Sequence, residues 1–230
     1  MQIPFYLQQK LESLAISTPA QIKELGYLEV FARLKAIYPS LAMQGLFDLY
    51  IICQQQKYPD QTIQAKLISQ FKQLPKRYPP LEDNQLKIYL NEAEKEAQIA
   101  LAAAEIPIGA VVVYQDQIIG RGFNQTRTQQ DILAHAEIQA LREAQQVRQS
   151  FRLDDCDLYV TIEPCLMCSG AIINSRIRRL IYGAKEPKTG AIQSQYQVFA
   201  NTNTNHHCQI IGPIDDAYYS QLIRQFFINK

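Results

Sequence analysis

Two short motifs constrain this chain more than anything else in it. They are His135-Ala136-Glu137 and Pro164-Cys165-Leu166-Met167-Cys168, with 27 residues between Glu137 and Cys165. One histidine and two cysteines can hold a metal ion tetrahedrally and leave the fourth position open, as a catalytic zinc requires. Cysteines three apart present both sulfurs from one helical turn. Pro164 is pre-set to open that helix, and a helix N-terminus favours thiolate over thiol. His135 and Glu137 lie about 200° apart around a helix of ~3.6 residues per turn. They can share a site only if a helix end lies beneath it. The chain must therefore bring two helix starts together around one ion.

Bulk properties set the frame. The 230 residues are 47% hydrophobic and 20% charged, enough for one medium or two small packed units. The net charge of +1 gives no strong global field. No apolar run approaches the ~20 residues that span a bilayer, so no membrane association is expected. Met1 to Leu11 is amphipathic and interrupted by Pro4, unlike a secretion signal. Five cysteines, two of them in C-x-x-C, then read as a reduced, metal-binding pair in the cytoplasm. Cys53 reads as helix packing. Charge is uneven: residues 1–80 carry a net +4 and residues 81–230 a net −3.

The spacing predicts a small all-α domain over residues 1–75. Leu7, Leu11 and Leu14 mark one helix face. Thr18-Pro19-Ala20-Gln21 has the N-cap, first-position proline and capping-box partner of a second helix, and Gly26 fits its end. Further apolar periodicity covers Leu28 to Lys35, Leu41 to Cys53 and Ile63 to Leu74. Prolines at 75, 79 and 80 mark a linker over 76–82. The second domain, 83–230, starts with a long amphipathic helix capped by Asp83. A hairpin follows around Gln115-Asp116-Gln117, then a helix over Ala134–Gln146 and a strand over Leu158–Ile162. A helix from about Cys165 to Asn174, a strand over Arg179–Tyr182 and a last helix over Tyr218–Ile228 complete it. This alternation predicts an α/β class.

Residues 5–75 resemble the C-terminal domain of TfoX-type competence regulators, a helix-hairpin-helix-like module. Residues 84–229 resemble bacterial tRNA-specific adenosine deaminases. The matching pieces are IPIGAVVV at 106–113, Asn124, AHAEIQALREA at 134–144, LYVTIEPCLMCSGAIINSRIRRLIYGA at 158–184, KTGA at 188–191 and Asn205-His206. The resemblance implies a three-layer α/β/α cytidine-deaminase-like sandwich around a mixed five-stranded sheet. It also implies one zinc per subunit, a homodimer, and conversion of wobble adenosine to inosine in a tRNA anticodon stem-loop.

By matched position, His135, Cys165 and Cys168 bind zinc and Glu137 is the catalytic proton shuttle. Asn124, Ile106, Pro107, Ala136, Glu186, Phe226 and Phe227 contact substrate. Read alone, Asn124 suits a turn, Ile106 suits a core, and Phe226 and Phe227 suit a buried helix face as well as base stacking. Zinc makes hydroxide available near neutrality. Glu137 takes a proton from the water and delivers it first to the ring and then to the departing amine. The rival enzyme reading is deamination of a free base or nucleotide, such as guanine or deoxycytidylate. The rival without catalysis is a nucleic-acid-binding regulator built around the first unit. Ile132-Leu133 replaces the family's more usual Pro-Thr, and Asn174 stands where some members have histidine.

Overall fold

The computed structural model describes residues 3–74, 77–200 and 203–228. Pro75 and Lys76 of the expected linker, and Asn229 and Lys230 at the chain end, lie outside the described residues. The chain forms two compact units that divide between Pro80 and Leu81.

The first unit is five helices: α1 (Phe5–Glu12), α2 (Pro19–Leu25), α3 (Tyr27–Ile37), α4 (Gln44–Gln54) and α5 (Gln61–Gln73). Leu7, Leu11, Ile22, Phe31, Leu34, Leu46 and Leu49 are fully enclosed in one apolar cluster. The capping box at α2 forms: Thr18 Oγ1 accepts from the Gln21 backbone N–H at 3.3 Å, and Gln21 Oε1 accepts from the Thr18 N–H at 3.0 Å. Gly26, at φ 83°, both ends α2 and starts α3, a left-handed conformation that suits glycine.

The second unit contains α6 (Asp83–Ala102), β1 (Gly109–Tyr114), β2 (Gln117–Phe123), α7 (Ala136–Arg148), β3 (Asp157–Ile162), α8 (Leu166–Ser175), β4 (Arg179–Ala184), β5 (Gln209–Ile211) and α9 (Asp216–Ile228). The strands make one mixed sheet in the order β2-β1-β3-β4-β5. β1 is antiparallel to β2 and β3, whereas β3, β4 and β5 run parallel.

Strand alternation splits the side chains into two cores. Ala110, Val112, Leu158, Val160, Leu180 and Tyr182 face α7 and α8. Val111, Val113, Tyr159 and Ile181 face α6 and α9, through Leu90, Ala93 and Tyr219. The result is the expected three-layer sandwich. Because helices cover both faces, every residue of β3 and β4 is buried.

Local boundaries differ from the sequence reading. Glu82, not Asp83, caps α6, in a capping box with Gln85. The β1–β2 turn is two residues, Gln115 and Asp116, at φ 47° and 59°, because Gln117 already pairs with Tyr114. Cys165, not Pro164, borders the α8 helix; the proline lies one residue further out. β5 is three half-buried residues, too short and too polar in its surroundings to show a strand period.

One glycine sets up the site. A methyl group on Gly122 would lie 2.2 Å from the Ala136 carbonyl oxygen. Only glycine lets β2 approach the first turn of α7 that closely.

Candidate active site

The residues expected to bind metal sit at two helix starts. His135 is the N-cap of α7 and Cys165 the N-cap of α8, both with extended backbone (ψ 152° and 174°). A capping residue has left helical geometry, so the ~200° helical separation does not apply between His135 and Glu137. His135 Nδ1 lies 3.4 Å from Cys168 Sγ and 3.8 Å from Cys165 Sγ. The three ligand atoms all fall within 4.8 Å of one another. Tetrahedral zinc with Zn–N of about 2.0–2.1 Å and Zn–S of about 2.3 Å separates its ligand atoms by roughly 3.5–3.8 Å. The observed spacings fit that figure, so these residues can hold such an ion.

The electrostatics agree. The Cys168 thiol donates toward Cys165, and His135 adds its own attraction. Together they bring the Cys165 thiol down to about 4, against the opposing effect of burial. The same hydrogen bond, together with burial, pushes Cys168 upward. The pair thus holds one thiolate ready and gives up a second proton when a cation binds. His135 is raised, chiefly by its contact with Cys165. Glu137 is buried at 3% exposure. Burial raises its carboxyl, opposed by His135. A carboxyl raised by burial holds a proton more readily than a free one.

A cavity of about 620 Å³ opens beside these groups. Ile106, Ile108 and Ile162 form apolar wall, and Asn124, Thr126 and His135 supply polar groups. Lys185, Glu186, Lys188, Arg224, Phe227 and Ile228 line it from the loop after β4 and from α9. Of the substrate contacts expected from sequence, Ile106, Asn124, Glu186 and Phe227 thus meet at one cavity. Pro107 is buried behind it. Ala136 packs into the core beneath the α7 start. The aromatic pair divides: Phe226 is buried at 7% exposure, and Phe227 is 58% exposed. Their rings meet edge-on at 5.3 Å. Asn174 donates to the Gly170 carbonyl on its own helix. Ile132 is 80% exposed on the approach loop, where Asp131 Oδ1 accepts from the Leu133 N–H.

Two buried acids went unread in the sequence. Glu163, just before the cysteine motif, accepts from the backbone N–H groups of Glu186, Ile192, Gln193 and Ser194 and from the Ser194 hydroxyl. Burial alone would raise it, but these donors outweigh burial and hold it below the usual carboxylate range. It clamps the 186–194 loop over the end of β3. Gly190 is required there, because a methyl group would meet the Glu163 carboxylate carbon at 2.5 Å. The second acid is Glu105, fully enclosed next to Ile106. Its adjacency to the IPIGAVVV run was the available signal.

A mixed sheet flanked by helices whose starts bring together a His-Cys-Cys group able to hold a metal, with a buried carboxyl two residues on and an apolar-walled cavity alongside, is the arrangement of a hydrolytic deaminase. The chain belongs to the MafB19-like deaminase family, whose sequence model matches residues 84–229. It is 41% identical over 142 residues to a tRNA-specific adenosine deaminase from Agrobacterium fabrum, covering 62% of this chain and 93% of that protein. Among solved structures it is similar to a tRNA:A34 deaminase studied for A-to-I editing at the wobble position. The identity is 39% and the TM-score 0.57, with 59% of this chain and 99% of that one covered. It also shares its fold with a guanine deaminase from Nitrosomonas europaea, at 22% identity and TM-score 0.53, covering 60% and 82%.

Proposed function

We propose that this chain hydrolytically deaminates adenosine to inosine at the wobble position of a tRNA anticodon and releases ammonia. His135, Cys165 and Cys168 hold one zinc ion per subunit. The observation that carries the reading is the clustering of this ligand triad two residues from buried Glu137, with His135 lining a cavity of about 620 Å³ that has room for a nucleotide. The relatives at about 40% identity support the tRNA substrate; the guanine deaminase neighbour, at 22%, shares the fold alone.

Zinc, when bound, supplies a water of lowered pKa and polarises it for attack. Glu137 takes one proton from the attacking water and gives it to the ring nitrogen, then takes the second from the hydroxyl on the attacked carbon and gives it to the departing amine. Ile106, Ile108 and Ile162 hold the ring against an apolar wall and exclude bulk water. Asn124 orients the nucleoside, and Glu186 and Phe227 contact the neighbouring nucleotides. Lys185, Lys188 and Arg224 supply the cations that a phosphate backbone needs in a unit of net charge −3. The +4 helical unit, a TfoX C-terminal-like module, adds further charge for holding the RNA. The enzyme acts in the cytoplasm as a homodimer. No helix among the described residues is long and apolar enough to cross a membrane.

The test is incubation with an anticodon stem-loop bearing adenosine at the wobble position, with Glu137→Ala as control. Inosine from wild type alone is expected. Turnover of free guanine or deoxycytidylate, and none of the stem-loop, would transfer the assignment to the rival substrates.

A further inference from the structure

Glu105 has no exposed surface and no part in the metal set. Its Oε1 accepts the backbone N–H of Arg127 at 2.9 Å and of Thr128 at 2.7 Å. Its Oε2 accepts the Asn124 side-chain N–H at 3.1 Å. A buried carboxylate is costly unless its oxygens are matched by donors. All three donors come from one segment, residues 124–128, which forms a wall of the cavity. The other Asn124 N–H points at Thr126 Oγ1, 3.3 Å away. With both amide hydrogens committed, the side chain has only its carbonyl oxygen left to offer. The oxygen and nitrogen of an asparagine are otherwise hard to tell apart. Here an acceptor-only carboxylate decides which is which.

We propose that Glu105 is a positioning residue that fixes the hydrogen-bond polarity of Asn124. The site therefore presents an acceptor to the substrate at this point. It selects a nucleoside that places a ribose O–H donor there, because adenine, apart from the amino group that leaves, offers only bare ring nitrogens. This inference rests on the deaminase reading above and adds a rule for recognition to it.

The test uses the full, zinc-loaded chain. In Glu105→Gln the amide oxygen can still accept from Arg127 and Thr128, but its N–H₂ then faces Asn124. Asn124 must turn its carbonyl toward residue 105 and its N–H₂ into the cavity. The expected result is a loss in kcat/KM on the stem-loop of about ten- to a hundredfold, as for a mismatched buried hydrogen bond, with zinc content unchanged. Because Glu105 acts through Asn124, Glu105→Gln added to Asn124→Ala costs nothing more than Asn124→Ala alone. The swap Glu105→Gln with Asn124→Asp restores the match and regains about tenfold over Glu105→Gln.

A second readout needs no turnover. The Asn124 side-chain amide protons exchange slowly in wild type and about tenfold faster in Glu105→Gln. Wild-type kinetics and exchange in Glu105→Gln, or losses that multiply in the double variant, would reduce Glu105 to a loop brace. If Glu105→Gln alone fails to fold, a folded and active swap supports the proposal, and a swap that also fails overturns it. Wild type that makes no inosine removes the substrate assignment, and the exchange measurement still decides the role of Glu105.

Discussion

The two units bury different things. Among the described residues, the helical unit encloses only apolar side chains and glycine, whereas the α/β unit also encloses Glu96, Glu105, Glu137, Asp157, Glu163 and Arg179. The first unit needs only to exclude water. The second spends part of its apolar stabilisation on charges that must each be matched, and it does so most densely around the cavity. Glu105 and Glu163 are surrounded by donors and hold loops in place. Glu137 has fewer donors around it, and burial raises its carboxyl. By the number of donors around each, these buried carboxylates divide into two braces and the one proposed reagent.

The contrast can be broken most severely at the metal. Cys165→Ala removes one of three protein ligands; zinc per chain, measured by plasma mass spectrometry, should fall to about a tenth or less, and deamination should disappear. Stripping the wild type with a chelator should do the same, and added zinc should reverse it. Next comes the reagent: Glu137→Gln should lower kcat by about 10²–10⁴ while zinc stays bound. Its melting temperature should not fall, because a buried charge has been relieved. A matching drop in stability would make Glu137 another brace.

Smaller effects separate the two kinds of interior. Leu46→Ala, in the apolar cluster, should cost about 2–5 kcal/mol by cavity formation. Glu163→Gln should cost about 1–3 kcal/mol, because its N–H₂ would oppose backbone donors. Calorimetry should place the first loss in the helical unit and the second in the α/β unit.

The smallest effect is acid dependence at Glu29. Partial burial raises this carboxyl, but hydrogen bonds from Arg77 and Arg33 outweigh it and hold it low. A lowered folded pKa contributes stability above the unfolded value, and the contribution is lost as pH falls through the folded one. For this solvent-screened pair the loss should be about 0.5 kcal/mol, centred below pH ~4, and absent in Glu29→Gln.

Much of this was legible in the residues. The meeting of His135, Cys165 and Cys168 was legible because ligation needs fixed residue types at fixed spacing. The helices of both units announce themselves through apolar period and capping residues such as Thr18 and Gln21. Glu105 and Glu163 did not, because their partners are backbone N–H groups from segments about 20–30 residues away, and a backbone donor leaves no mark in a sequence. The splitting of Phe226 from Phe227 was hidden for a related reason: adjacent helix positions point about 100° apart, and only the packed sheet decides which is covered. β5 was hidden because three residues carry no period.

The placement of both ligand-bearing residues at helix caps also bears on engineering. From His135 the chain runs out along the 13 residues of α7, about 20 Å at helical rise, and returns along the six residues of β3, about 20 Å at strand rise. The outward and return paths are matched, so the connection from Gln149 to Cys156 lies at the end of the sheet remote from the His-Cys-Cys group. Its tip carries exposed Phe151 and Arg152, while Leu153 anchors its base. A peptide tag or reporter domain spliced in at that tip would lengthen the chain between the two halves of the metal site without altering the distance between them.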